Sequence, residues 1–206
     1  MKIDKIKSKI KNRIPGPLRI ERYYSVLIPV VEINNRTYIL YEVRADHLST
    51  QPGEISFPGG RVERGETFCQ GAVRECSEEL NITEEKIDVM GEVDYLITPF
   101  NFIIYAFVAK IDIDNLDEIE VNKNEVKEIF KVPVDYLMTH KPEKYRAELE
   151  SEMDKNFPYH LIPGGEDYNH RRSSYTIYFY RYEDRIIWGI TAEISKNFID
   201  ILKNRV

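Results

Sequence analysis

Residues 60–82 read G-R-V-E-R-G-E-T-F-C-Q-G-A-V-R-E-C-S-E-E-L-N-I, directly behind Phe57-Pro58-Gly59. Small or apolar residues recur at Cys69, Ala72, Val73, Cys76 and Leu80, one stripe of a helix, and Thr67 is a fair N-cap for it. The spacing predicts an amphipathic helix over 67–80. It is closed by Asn81, the usual substitute for glycine where a chain leaves a helix in a left-handed conformation. On that helix Glu75 and Glu79 lie one turn apart on a face away from the stripe, with Glu78 beside them. Like charges so placed repel by about a few tenths of a kcal/mol per exposed pair, so a compensating cation is expected. Arg74 and Lys86 could serve on a plain charged surface, but hard oxygen ligands clustered on a rigid helix suit Mg²⁺ or Mn²⁺. Gly59-Gly60 reads as a turn whose backbone can approach a charged group closely.

The stretch resembles the Nudix box, with Gly60, Glu66, Arg74, Glu75, Cys76, Glu78, Glu79 and Ile82 in register and Asn81 in place of the second glycine. The resemblance implies a metal-dependent hydrolase of diphosphates linked to another moiety, on an α/β/α sandwich with a mixed β-sheet. It also implies Mg²⁺ or Mn²⁺ held by Glu75 and Glu79, with Glu78 as a further ligand or water anchor and a main-chain carbonyl from the turn at Gly60. Arg74 would orient a box glutamate, Glu66 being the candidate. The general base is a box glutamate, Glu78 or Glu79, or a carboxylate on a loop beyond the box; Glu125 in N-K-N-E-V-K-E-I-F is preferred, with Glu128 and Glu120 as competitors.

A second resemblance concerns substrate. Leu40 to Gly60, L-Y-E-V-R-A-D-H-L-S-T-Q-P-G-E-I-S-F-P-G-G, is similar to the upstream signature of coenzyme A pyrophosphatases at Leu40, Arg44, Ala45, Gly53, Phe57, Pro58, Gly59 and Gly60. It departs at Tyr41, Glu42 and Ser49. A serine at position 49 offers one neutral hydroxyl where those enzymes carry the planar donor fork of an arginine. Ile187 to Ala192 also resembles a segment that leads into their last helix. The resemblance implies cleavage of coenzyme A or acyl-CoA to 3′,5′-ADP and (acyl-)4′-phosphopantetheine, with Arg44, Ser49 and Gly59 at the substrate. Two other readings stay open: a pyrophosphatase for ADP-ribose or another nucleoside diphosphate derivative, and a non-catalytic binding module on the same fold. The intact set Glu75, Glu78 and Glu79 argues against the second.

The chain has 206 residues, 42% of them hydrophobic, enough for one sizeable core without disulfides. A net charge of −6 argues against a nucleic-acid surface, and an acidic protein acting on an anionic substrate needs local cations such as Arg44 or a metal. Cys69 and Cys76 are expected as small buried thiols, too far apart on one helix to pair. No signal sequence or membrane span is read, so a cytoplasmic location is expected, with a small-molecule substrate, no membrane partner and a homodimer left open.

Residues 1–22 read as a basic amphipathic helix and linker, stopped by Pro15-Gly16-Pro17, before a domain at 23–206. Strands are expected at 24–32 and 37–44 around Asn34-Asn35, at 87–97 and 102–113 joined near Pro99, and at 125–132. Short helices are expected at 134–138 and 143–150, then a hairpin of 175–182 and 185–190 and a final helix from about Thr191. His47, His160 and His170 lack ligand spacing. Arg171-Arg172 beside Tyr168 and Tyr175 could clamp a phosphate or adenine ring, with a surface loop as the alternative. Trp188 is expected as a core anchor.

Overall fold

The computed structural model describes residues 2–170 and 172–204. Asn34 and Asn35 both take positive φ, 52° and 57°, the mirror-image turn whose twist suits a tight hairpin. They fold β1 (Arg22–Ile33) back onto β2 (Arg36–Arg44), with Ile33 opposite Arg36. On its other side β1 runs parallel to β7 (Phe102–Ile111). The sheet is completed by antiparallel pairs: β3 (Ile55–Ser56) and β8 (Val126–Pro133) on β2, β4 (Gly59–Arg61) on β1, and β5 (Ile87–Glu92) and β6 (Leu96–Ile97) on β7. It is therefore a mixed sheet.

Both faces of the central strands are apolar, so each needs a cover. α2 (Phe68–Leu80) covers one, setting Ala72, Cys76 and Leu80 among Leu27, Val31, Leu40 and Phe107. The other is covered by α3 (Val134–Thr139) and α4 (Gly189–Leu202), where Leu137, Ala192, Phe198 and Ile199 pack with Ile28, Ile39 and Val132. Tyr41 ties β2 to α4 through a buried hydroxyl contact with Ser195 Oγ at 2.9 Å. The outcome is a two-faced α/β sandwich.

The ends of α2 are locally determined. Thr67 Oγ1 accepts from Gln70 N at 3.2 Å while Gln70 Oε1 accepts from Thr67 N at 2.8 Å, a reciprocal cap. Asn81 closes the helix at φ 51°, ψ 46°. Cys76 is buried and Cys69 half-buried; burial pushes both thiols up.

Four expectations are corrected. Residues 143–150 are not a helix: β9 (Glu143–Leu149) joins β10 (Ser173–Tyr182) and β11 (Arg185–Trp188) in a separate three-stranded sheet. The segment E-K-Y-R-A-E-L has good helix formers, but the backbone edge of the aromatic, β-branched β10 must be satisfied and Tyr145 packs edge-on to Phe179, so tertiary pairing wins. Gly59-Gly60 is not a turn but part of β4, paired with β1 at Ser25 and Val26. Glu125 precedes β8, in a turn closed by its own N–H donating to Asn122 O at 3.0 Å. Trp188 is 39% exposed, stacked on Phe179 at the sheet edge rather than in the core. At the N-terminus α1 (Ile3–Ile10) buries none of its residues.

The reciprocal cap makes a direct prediction for urea unfolding of the metal-free protein. Thr67→Ala should cost about 1 kcal/mol. Asn81→Gly should cost nothing measurable, because glycine adopts the left-handed geometry without a side-chain penalty.

Candidate active site

At the C-terminal half of α2, Glu75 and Glu79 meet Glu125, each offering a carboxylate oxygen within 4.8 Å of the others. Two backbone bonds bring Glu125 there: Asn122 N donates to Glu79 O at 2.9 Å, and Ala45 N donates to Glu125 O at 2.8 Å. The turn is thus fastened to the end of α2 on one side and to the end of β2 on the other. Glu79 is buried, and one of its oxygens accepts from Gly59 N at 2.8 Å. A side chain at Gly60 would displace the Glu75 carboxylate, and one at Gly59 would run into the backbone of Ser25 and Val26, so the glycines let β4 lie this close to β1 and the trio.

Arg74 organises the outer side. Its Nε and Nη2 donate to the two oxygens of Glu66 at 3.1 and 3.0 Å, a parallel fork, and Nη1 donates to Glu75 at 2.9 Å. The same nitrogen lies 3.4 Å from Glu78, whose side chain is more than half exposed at the rim, outside the trio. The two carboxylates hold the Arg74 guanidinium above its ordinary range, and the guanidinium together with Glu63 N–H pulls Glu66 down.

The residue that the sequence reading missed is Glu42. It sits on β2, 1% exposed, with Oε1 accepting from Ser56 Oγ at 2.8 Å and Oε2 without a partner among the described residues. Burial, with repulsion from the neighbouring Glu125 and Glu75, pushes its carboxyl up; burial and repulsion from Glu42 push Glu79 up as well. Burial also raises Glu75 against the pull of Arg74. A glutamate inside the apolar run Ile39-Leu40-Tyr41-Glu42-Val43 was the available signal.

This donor set fits a hard divalent cation. Three carboxylates converge from two elements, a glycine leaves room beside one of them, and a buried carboxylate oxygen stands unpartnered next to the cluster. Of the other acids considered, Glu128 is taken by Arg185 at 2.7 Å and Glu120 is exposed. Arg44 faces a groove that also has Gly59 and Gly60 in its wall, and its Nε is buried without a partner. Ser49 is exposed in the loop and does not line the groove. His47 is structural: its Nε2 lies 3.1 Å from Asn124 O, tying that loop to the Glu125 turn. His160 is exposed and His170 sits among the rings of Phe157, Tyr159 and Tyr168. Arg172 is exposed; Arg171 lies outside the described residues.

Sandwich, capped helix and carboxylate centre together define an α/β fold of the Nudix type. Residues 23–155 match the NUDIX domain family model, and the chain belongs to that family. It is 28% identical over 186 residues to Nudix hydrolase 3 of Caenorhabditis elegans, covering 86% of this chain and 72% of that one. It is 30% identical over 142 residues to the peroxisomal coenzyme A diphosphatase of Mus musculus, covering 68% of this chain and 58% of the mouse protein. A MutT/nudix family protein from Enterococcus faecalis shares the fold at a TM-score of 0.51 and 13% identity, over 98% of this chain and 70% of that one. No helix among the described residues is long and apolar enough to cross a membrane.

The raised carboxyls fix the sign of a pH effect. The folded protein retains protons at Glu42, Glu75 and Glu79 that the unfolded chain releases near the ordinary carboxylate value of 4.5, so stability falls as pH rises. In EDTA the melting temperature should drop by about 3 °C or more between about pH 5 and pH 9. Saturating Mg²⁺ or Mn²⁺, which replaces those protons, should remove most of the drop. A flat profile in EDTA would show that these acids are not held neutral by burial.

Proposed function

We propose that the protein hydrolyses a diphosphate linkage in coenzyme A or acyl-CoA, giving 3′,5′-ADP and (acyl-)4′-phosphopantetheine, with Mg²⁺ or Mn²⁺ as cofactor and the cytoplasm as its place of work. One observation carries the reading: Arg44, Gly59 and Gly60, which belong to the signature resembling that of coenzyme A pyrophosphatases, line one groove, and Gly59 and Gly60 touch the box carboxylates from it. The mouse relative, a coenzyme A diphosphatase by name, supports the same substrate class.

A divalent cation at Glu75 and Glu79 would neutralise phosphate charge and make a bound water more acidic. The remaining work belongs to the chain. Glu125, the member of the trio that comes from outside α2, takes the proton as the water oxygen attacks phosphorus and the anhydride P–O bond breaks. Arg74 keeps the Glu75 carboxylate in one orientation by sharing its guanidinium between Glu75 and Glu66. Gly59 N–H fixes Glu79 in the same way. Arg44, which lines the groove with Nη2 3.5 Å from Thr50 O, offers its guanidinium charge to the anionic substrate.

Free coenzyme A, acetyl-CoA, ADP-ribose and a dinucleoside polyphosphate should be compared with Mg²⁺ and with Mn²⁺, and the products identified. Coenzyme A forms should give the highest kcat/KM; faster cleavage of ADP-ribose than of every coenzyme A form would refute the substrate assignment and leave the diphosphate chemistry standing. Glu79→Gln should lower kcat at least about a hundredfold with the fold intact by circular dichroism.

For Arg44→Ala the expected loss in kcat/KM is about 1.5–3 kcal/mol, that of a charge-assisted contact. Glu125→Gln should depress kcat and remove the acidic limb of its pH profile, while Mn²⁺ still binds as judged by its electron paramagnetic signal. Retention of that limb would move the base to another carboxylate.

A further inference from the structure

Two depressions meet where α4 begins. One is the groove beside the carboxylate trio, with Arg22 and Arg44 in its wall. The other is a cavity of about 280 Å³ enclosed by the 96–100 segment, β10 and the first turn of α4. Gln51, Glu54, Phe100, Ile190 and Thr191 line both, so the two form one continuous surface.

Charge is segregated along it. The groove carries two arginines, and Arg22 lies 5.9 Å over the Phe102 ring. The cavity carries Glu193 of its own besides Glu54, which it shares with the groove, and, among the described residues lining it, no lysine, arginine or histidine. A phosphorylated nucleoside end would be repelled from the cavity and attracted to the groove. The cavity is instead built for apolar contact: Phe100, Tyr175 and Trp188 line it, and Phe100 and Trp188 are 51% and 39% exposed. Large aromatic side chains left open to water beside a reaction centre mark a binding surface.

We propose that this cavity seats the uncharged arm of the diphosphate substrate. The aliphatic chain of an acyl thioester lies against Phe100, Tyr175 and Trp188, while the phosphorylated nucleoside end faces Arg22 and Arg44. The proposal rests on the coenzyme A reading and adds an orientation to it: the chain measures acyl length at the junction of its two sheets. Thioesters are then preferred to free coenzyme A, up to a ceiling set by the volume of the cavity.

The test is a series of free, acetyl, hexanoyl and dodecanoyl coenzyme A, assayed for kcat/KM with the intact chain and with two variants. Each buried methylene is worth about 0.8 kcal/mol, so hexanoyl should exceed acetyl by at least about tenfold. Thr176→Trp, an exposed position on the cavity wall, should cut the hexanoyl to acetyl ratio at least about fivefold. Trp188→Ala should shift the optimum to longer chains, and it serves as the independent reading if Thr176→Trp does not fold. Equal kcat/KM for every coenzyme A form overturns the cavity assignment while the proposed function stands. Cleavage of ADP-ribose with no coenzyme A form cleaved overturns both.

Discussion

The constraint on which the molecule turns is electrostatic crowding. Glu42, Glu75, Glu79 and Glu125 are drawn together by β2, α2 and the 122–125 turn, and Glu42 and Glu79 are nearly sealed from water. Without compensation such an arrangement opposes folding. What holds it is a frame of fixed donors: Arg74 on the outside, Gly59 N–H beneath, Ser56 Oγ at the far end. None of these donors can be removed without releasing a carboxylate into a low-dielectric pocket. The short strand β4 and its two glycines acquire their meaning from this crowding, because only a bare backbone fits between β1 and the acids.

Much of this was legible in residues 60–82. The cap at Thr67, the left-handed exit at Asn81 and the apolar stripe are local properties, and local chemistry determines them. The hairpin at Asn34-Asn35 was readable for the same reason. Legibility ended where a residue's state is decided by distant partners. Glu42 looks like a polar interruption of a strand until β3, α2 and the 122–125 turn surround it. The segment 143–149 has the composition of a helix and becomes a strand because β10 offers it an edge. Trp188 has the size of a core residue, yet it sits on the last position of β11, where the sheet runs out.

The second sheet changes how the chain is understood. The family match ends at residue 155, within the linking segment after β9, while β10, β11 and α4 still contribute to the core that backs the first sheet. Ile187 and Tyr180 are buried in that cluster, so the C-terminal part is integral to the fold rather than an appendage. At its outer rim Tyr175 and Trp188 line a cavity instead of the packed interior.

The loop after β2 is tied to the 122–125 turn at two points, Ala45 N to Glu125 O and His47 to Asn124 O, and to the start of β8 at a third, Lys127 to Asp46 at 2.7 Å. A segment that follows the groove-lining Arg44 is thereby bolted to the one carrying a carboxylate of the centre. On the proposed function, recognition and turnover share this one anchorage. A lineage that remodels this loop to accept a new ligand also disturbs the geometry of Glu125, the proposed proton acceptor, so changes of specificity in such a scaffold should arrive in pairs, one in each segment.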